Sequence, residues 1–141
     1  MTEAELLEHC AKELASLVGE LDDLLLNASE AQWQFALPDN KWTTGQIVEH
    51  IYRTSLPYET LLSDAFAKAS HSDQTSDVKH PIALRMILLG LRSKRVPAPN
   101  QLIVIETISQ ATGLLHWASF KKASFAHLEM AKGKSLWFFL V

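Results

Sequence analysis

Only one cysteine, Cys10, occurs in the 141 residues. No intrachain disulfide can form, nothing argues for an oxidising compartment, and the cytosol is the expected location. Glycine is scarce too, at 5 residues. None of them builds a phosphate-cradling loop or the Gly-x-Ser-x-Gly elbow of a serine nucleophile, and no Cys-x-x-Cys redox pair is present. Charge of one sign is lacking: 13 basic and 16 acidic side chains leave a net charge of −3, too mild to steer the chain toward nucleic acid or an anionic membrane. The one basic cluster, Arg85, Arg92, Lys94 and Arg95, has no interleaved aromatics and reads as the cationic complement to a helix end. Long apolar runs are missing as well. Ile87 to Leu89 and Leu136 to Val141 fall far short of the ~20 residues of a membrane-spanning helix. The acidic start, Met1 to Glu5, lacks the basic residues and apolar run of a secretory signal.

What is present is an ordinary globular composition, 48% hydrophobic and 21% charged. Its length suits a single domain, residues 1–141, that buries roughly two-thirds of its surface. Thr2 and Glu5 stand in capping-box spacing and open a helix from Thr2 to Asn27. Leu7, Cys10, Leu14, Leu17, Leu21, Leu24 and Ala28 follow at alternating intervals of three and four, and this is the expected buried seam. The period lapses from Ala28 to Trp42, where Pro38, Asp39 and Asn40 form a turn cluster, so this stretch is expected to be a connection. A second capping box, Thr43 with Gln46, starts a second helix. Its expected apolar face is Ile47, Ile51, Thr54, Tyr58, Leu61, Leu62, Ala65 and Phe66, with a kink or break near Pro57 because proline cannot donate to the carbonyl of Arg53.

Ser70 to Lys79 is polar and is expected to be a mobile loop. Pro81 suits the first turn of a short apolar helix over Ile82 to Leu91, which Val96-Pro97-Ala98-Pro99 closes off. Leu102 to Ile105 is β-branched but finds no strand partners in the sequence, so it is expected as extended coil. From Thr107 the helical period returns through Ile108, Ala111, Leu115, Ala118, Phe125 and Leu128, until Ala131-Lys132-Gly133 stops it. A last helix starts near Ser135 and is short or incomplete at Val141. The fold class is therefore all-α.

His50 is the first candidate for chemistry, because it follows Ile47 by three positions and precedes Ile51, which places it on or beside the buried stripe of the second helix. A lone histidine there is either a hydrogen-bonded residue at the core edge or a metal ligand. His116 and His127 lie eleven positions apart on one helix, ~16 Å of rise, too far to hold one ion together. His9 and Cys10 read as a surface imidazole and a small buried thiol, and His71 and His80 as solvated loop residues. Glu49 points about 100° away from His50 and reads as a surface carboxylate without a catalytic role.

The stretch Lys41-Trp42-Thr43-Thr44-Gly45-Gln46-Ile47-Val48-Glu49-His50-Ile51, preceded by Pro38, resembles the start of the second helix in the DinB/YfiT-like family. A leucine-rich first helix, a central loop and the Val96 to Pro99 segment occur in the family's order. The resemblance implies an up-down-down-up four-helix bundle that binds a divalent metal, zinc or nickel, through one histidine of the second helix and two of the last. It further implies a metal-dependent thiol S-transferase or hydrolase acting on a small thiol or other small molecule; a homodimer is the expected assembly. His50 matches the first ligand. The paired histidines, four apart on one helix face, have no counterpart in this chain, so the expected site is incomplete and metal binding weak or absent. The alternative is a non-catalytic bundle that serves as a dimerisation or interaction module, to which the apolar end Leu136 to Val141 points.

Overall fold

The computed structural model describes residues 1–36, 38, 41–78 and 103–136. Within them the chain forms four helices: α1 (Glu3–Asn27), α2 (Glu30–Gln34), α3 (Thr44–Lys68) and α4 (Gln110–Ala131). No strand occurs among the described residues, only two isolated bridges, so the all-helical class holds. The expected helix over Ile82 to Leu91, the basic cluster, His80 and the apolar end beyond Leu136 lie outside the described residues.

Both expected capping boxes form. The Thr2 hydroxyl accepts from the Glu5 amide and the Thr43 hydroxyl from the Gln46 amide, while the Glu5 and Gln46 side chains accept from the cap amides in return. A third, Ser29 with Gln32, starts α2 inside the stretch expected to be a plain connection. Three orphan-satisfying caps of the same chemistry thus begin three of the four helices. Of the kink or break expected near Pro57, no break occurs: α3 runs through it as one helix. The Thr54 and Ser55 hydroxyls donate to the His50 and Tyr52 carbonyls at 2.6 and 2.7 Å, which ties the turn before the proline. α4 ends as expected, with Gly133 at φ +67 just beyond it, in the left-handed region that favours glycine.

The buried core is Val18, Leu25, Trp33, Val48 and Trp117, with Leu14, Leu21, Leu114 and Phe120 packed against it. α4 packs most extensively on α3 and next on α1, and α2 rests on α3. Trp33 is 0% exposed and acts as the wedge of this assembly. Its indole Nε1 donates to the Ile108 carbonyl at 2.8 Å, and its ring lies against two glycines, Gly45 of α3 and Gly113 of α4. A Cβ on Gly45 would come 2.5 Å from Nε1 and one on Gly113 2.2 Å from the ring's Cζ2, so neither position admits a side chain.

This wedge sets the rotation of the helices, and the expected seams are corrected accordingly. α1 buries Val18 and Leu25 rather than Leu17 and Leu24, one position or about 100° around the helix. On α3, Ile47, Tyr58 and Leu61 are exposed while Val48 and Phe66 are buried, and on α4, Leu115 is exposed while Gly113, Trp117 and Ala131 are buried. Each corrected seam still follows three-and-four spacing. In Leu24-Leu25-Leu26 and Leu17-Val18 the periodicity fits more than one phase, and the packing partner chooses between them.

The polar loop from Ser70 onward was expected to be mobile. Instead its described part, up to Val78, is pinned between the start of α1 and the end of α4. The amides of Glu3 and Ala4, which have no intrahelical acceptor, donate to the Ser76 and Gln74 carbonyls at 3.0 and 3.1 Å. Gln74, buried with φ 59, donates from Nε2 to the Ala131 and Lys134 carbonyls at 2.9 and 2.8 Å, capping the other end of the fold. Glu3 is 1% exposed, and its carboxylate accepts from the Ser72 hydroxyl and the Leu136 amide at 3.1 and 2.7 Å.

Across the middle of the molecule, Asp22 of α1 accepts from Lys121 Nζ at 2.7 Å and from the Trp117 indole at 2.6 Å, both on α4. Lys121, and then Trp117, hold the Asp22 carboxyl below the usual carboxylate range. A carboxyl depressed in the folded state contributes stability above its unfolded value, about pH 4, and loses it as pH falls through the folded value. Acid titration of the wild type and of Asp22→Asn, followed by thermal melting, is expected to show the variant less stable near pH 7, with the difference narrowing as pH falls below the ordinary carboxylate value, about 4.

Candidate functional site

Two arrangements carry functional chemistry, one polar and one apolar. The polar one joins α3 to α4 around Glu49, which is 4% exposed. The surface role expected for Glu49 is therefore wrong: the direction away from His50 points into the α3–α4 interface. Its Oε1 accepts from Arg53 Nε at 2.6 Å, one turn along α3, and its Oε2 meets His116 Nδ1 of α4 at 2.5 Å. The His116 ring stacks on Tyr52, with centroids 4.2 Å apart. Arg53 reaches on to Glu106 at 3.4 Å. The Glu49 carboxylate is the main reason the Arg53 guanidinium holds its proton more tightly than usual, and the Glu106 carboxyl is held down by its own backbone amide and by Arg53. A buried carboxylate gripping one imidazole nitrogen is the arrangement that orients a histidine for proton transfer. His116 and Glu49 line neither of the two cavities described below, and the arrangement ties α3 to α4.

His50, the expected metal ligand, lies one residue along α3 and is half-buried, its ring 4.8 Å from that of Trp42. No group of three or more His, Cys, Asp or Glu side chains placed to share an ion occurs among the described residues. His116 and His127 sit in separate surroundings, as their spacing requires.

The apolar arrangement is a chamber of about 630 Å³ between α1, α3 and α4. It exists because α1 and α3 each pack mainly on other elements and leave their facing apolar sides apart. Leu7, Leu14, Leu62, Phe66, Phe120 and Leu128 form much of its described wall, and Val78 of the loop and Leu136 line it too. Polar groups enter it from few places, chiefly Ser55, Glu59, Ser124 and His127. Cys10 lines it as well, but is exposed rather than buried as expected. His127 Nε2 stands 3.3 Å from the Ser63 hydroxyl and 3.2 Å from the Glu59 carbonyl. A second hollow of about 490 Å³ lies between α1 and α3 nearer Trp117, edged by Leu24, Ile47 and Ile51.

The chamber was not visible in the sequence, because an apolar helix stripe looks the same whether it meets another helix or a void. The burial of Glu49 had one available signal: Arg53 follows it at i+4, the spacing of a helical ion pair.

Comparison with protein-family models, with curated proteins and with solved structures finds no match for this chain. What the described residues define is a class, an all-helical protein with an apolar chamber open to solvent between three of its helices, and the functional reading rests on that geometry.

Proposed function

We propose that this protein is a helical bundle of the DinB-like type that works by binding, and that its chamber holds a small apolar molecule. The chamber itself carries the proposal: its volume, about 630 Å³, lies within the range of small-molecule sites, and a mostly apolar wall with a few polar groups is their usual composition. Leaving such a wall in contact with water forfeits about 25 cal/mol for each Å² that a ligand could cover. The exposed side chains of Leu17 and Leu24, two turns apart on α1, and of Leu61 on α3 support the accompanying proposal of a homodimer. The cytosol remains the proposed compartment.

The competing proposal is the metal-dependent thiol S-transferase or hydrolase that the family resemblance implies, with His50 as one ligand of zinc or nickel. One set of samples separates the two. The binding proposal expects one 2-methylnaphthalene bound per chain, abolished by Ala123→Trp, which fills the chamber, and a metal content after zinc or nickel supplementation that His50→Ala leaves unchanged. Stoichiometric metal that His50→Ala removes, with no saturable uptake of the hydrocarbon, would reverse the order. Light scattering of the same samples tests the dimer: a monomer throughout the micromolar range contradicts it.

A further inference from the structure

We infer that the chamber selects an apolar molecule carrying one hydroxyl group, and that the Nδ1 atom of His127 receives that hydroxyl's proton in a hydrogen bond. The inference rests on the binding role proposed for the chamber and names the ligand class.

The argument is one of tautomers. His127 Nε2 lies 3.2 Å from the main-chain carbonyl of Glu59 and 3.3 Å from the Ser63 hydroxyl. A carbonyl oxygen can only accept, so the nitrogen facing it must carry the hydrogen; the Ser63 oxygen, which accepts equally well, tolerates this. A lone pair on Nε2 would instead face the carbonyl's own lone pairs. The neutral ring is thereby fixed with its proton on Nε2, and Nδ1 becomes a pure acceptor. His127 lines the chamber beside Ala123, Ser124 and Leu128 of α4. A ligand that fills the apolar space and offers a donor satisfies Nδ1, whereas one that offers only an acceptor sets two lone pairs against each other. Discrimination of this kind is larger than any that apolar contact alone provides, because the wrong ligand leaves a polar group desolvated and unpaired. Alcohols and phenols with a compact hydrocarbon body meet the requirement; the corresponding ethers and ketones do not.

Three probes of nearly equal size test this on the full chain: 2-naphthol, 2-methoxynaphthalene and 2-methylnaphthalene, titrated calorimetrically. The wild type is expected to bind 2-naphthol about tenfold more tightly than the ether. His127→Gln keeps an N–H donor where Nε2 stands but has no acceptor at the Nδ1 position, so it should bind all three alike. Glu59→Leu, which removes the side-chain oxygens and keeps the main-chain carbonyl, should keep the preference, which distinguishes the imidazole from the neighbouring carboxylate as the acceptor. Equal binding of the three probes by the wild type, or a preference that survives His127→Gln, overturns the hydroxyl assignment and leaves the binding role standing. Binding of none overturns both. Circular-dichroism melts of each variant establish that it is folded, and should His127→Gln not fold, His127→Asn, which restores an acceptor close to Nδ1, is expected to retain the naphthol preference; its loss there would overturn the assignment equally.

Discussion

Gly113→Ala is expected to destabilise the protein by about 3 kcal/mol, the upper part of the range for overpacking a filled core. A methyl group at this position would lie 2.2 Å from Cζ2 of Trp33, so the indole would have to shift. Its movement is restricted, because a Cβ on Gly45 would already come 2.5 Å from Nε1 and that nitrogen is tied to the Ile108 carbonyl at 2.8 Å. Retreat would break that bond in a fully buried setting, which itself costs about 1–3 kcal/mol. Trp33→Ala should be as severe or worse, about 3–5 kcal/mol, because it empties the largest fully buried side chain of the fold. The two changes are in contact and should not add: in the double variant the new methyl enters the space the indole left, so its cost falls below the sum of the single effects. Urea denaturation of the four proteins measures the cycle. Strict additivity would mean that the ring and the glycine do not touch in solution.

Glu49→Ala is expected to cost about 3 kcal/mol, the low end of what is lost when one member of a buried ion pair is removed. The carboxylate serves two partners, and its loss leaves the Arg53 guanidinium and the His116 imidazole facing each other in the α3–α4 interface without an acceptor between them. The figure is held at the low end because the Arg53 side chain remains 34% exposed and water screens part of its charge. Glu106→Gln breaks only an exposed ion pair at 3.4 Å and should leave stability close to that of the wild type. Hydrogen exchange supplies the second readout: in Glu49→Ala, protection should fall first in the first half of α3 and the first turns of α4. A uniform loss across all helices would argue that Glu49 does not brace this pair in particular.

The division between what the residues announce and what the packing decides can be followed element by element. Helix starts were legible because capping is local. Thr2 with Glu5 and Thr43 with Gln46 require only each other, and α1 and α3 begin where those pairs place them. Ser29 with Gln32 is an equally local pair and starts α2, but a helix of five residues carries no apolar period to mark it. Helix rotation was not legible. Leu24, Leu25 and Leu26 offer three faces of equal hydrophobicity, and Trp33, from a segment expected to be a connection, decides among them. Glu3 shows the same limit for charge. A glutamate in the first turn of a helix is ordinarily an exposed complement to the dipole, yet this one is buried by a loop and a turn from distant parts of the chain, 69 and 133 positions away.

The site divides in the same way. His50 could be singled out from its place on the helix and from the Trp42 to His50 resemblance, but a ligand set is a property of several helices, and one helix cannot declare it. The His127, Ser63 and Glu59 arrangement spans α3 and α4 with separations of 64 and 68 positions, beyond the reach of any local pattern. A chamber is further still from view, since it depends on how far apart two helices stand rather than on what either of them carries.

The most direct test of the central claim is a map of methyl chemical shifts as 2-methylnaphthalene is added to the labelled protein. If the chamber is a binding site, the shifts saturate together and concentrate at Leu7, Leu14, Leu62 and Leu128, which line it, while Leu26 and Leu115, which line neither hollow, stay where they were. Shifts that never saturate, or that are as large at Leu26 and Leu115 as inside, would contradict it.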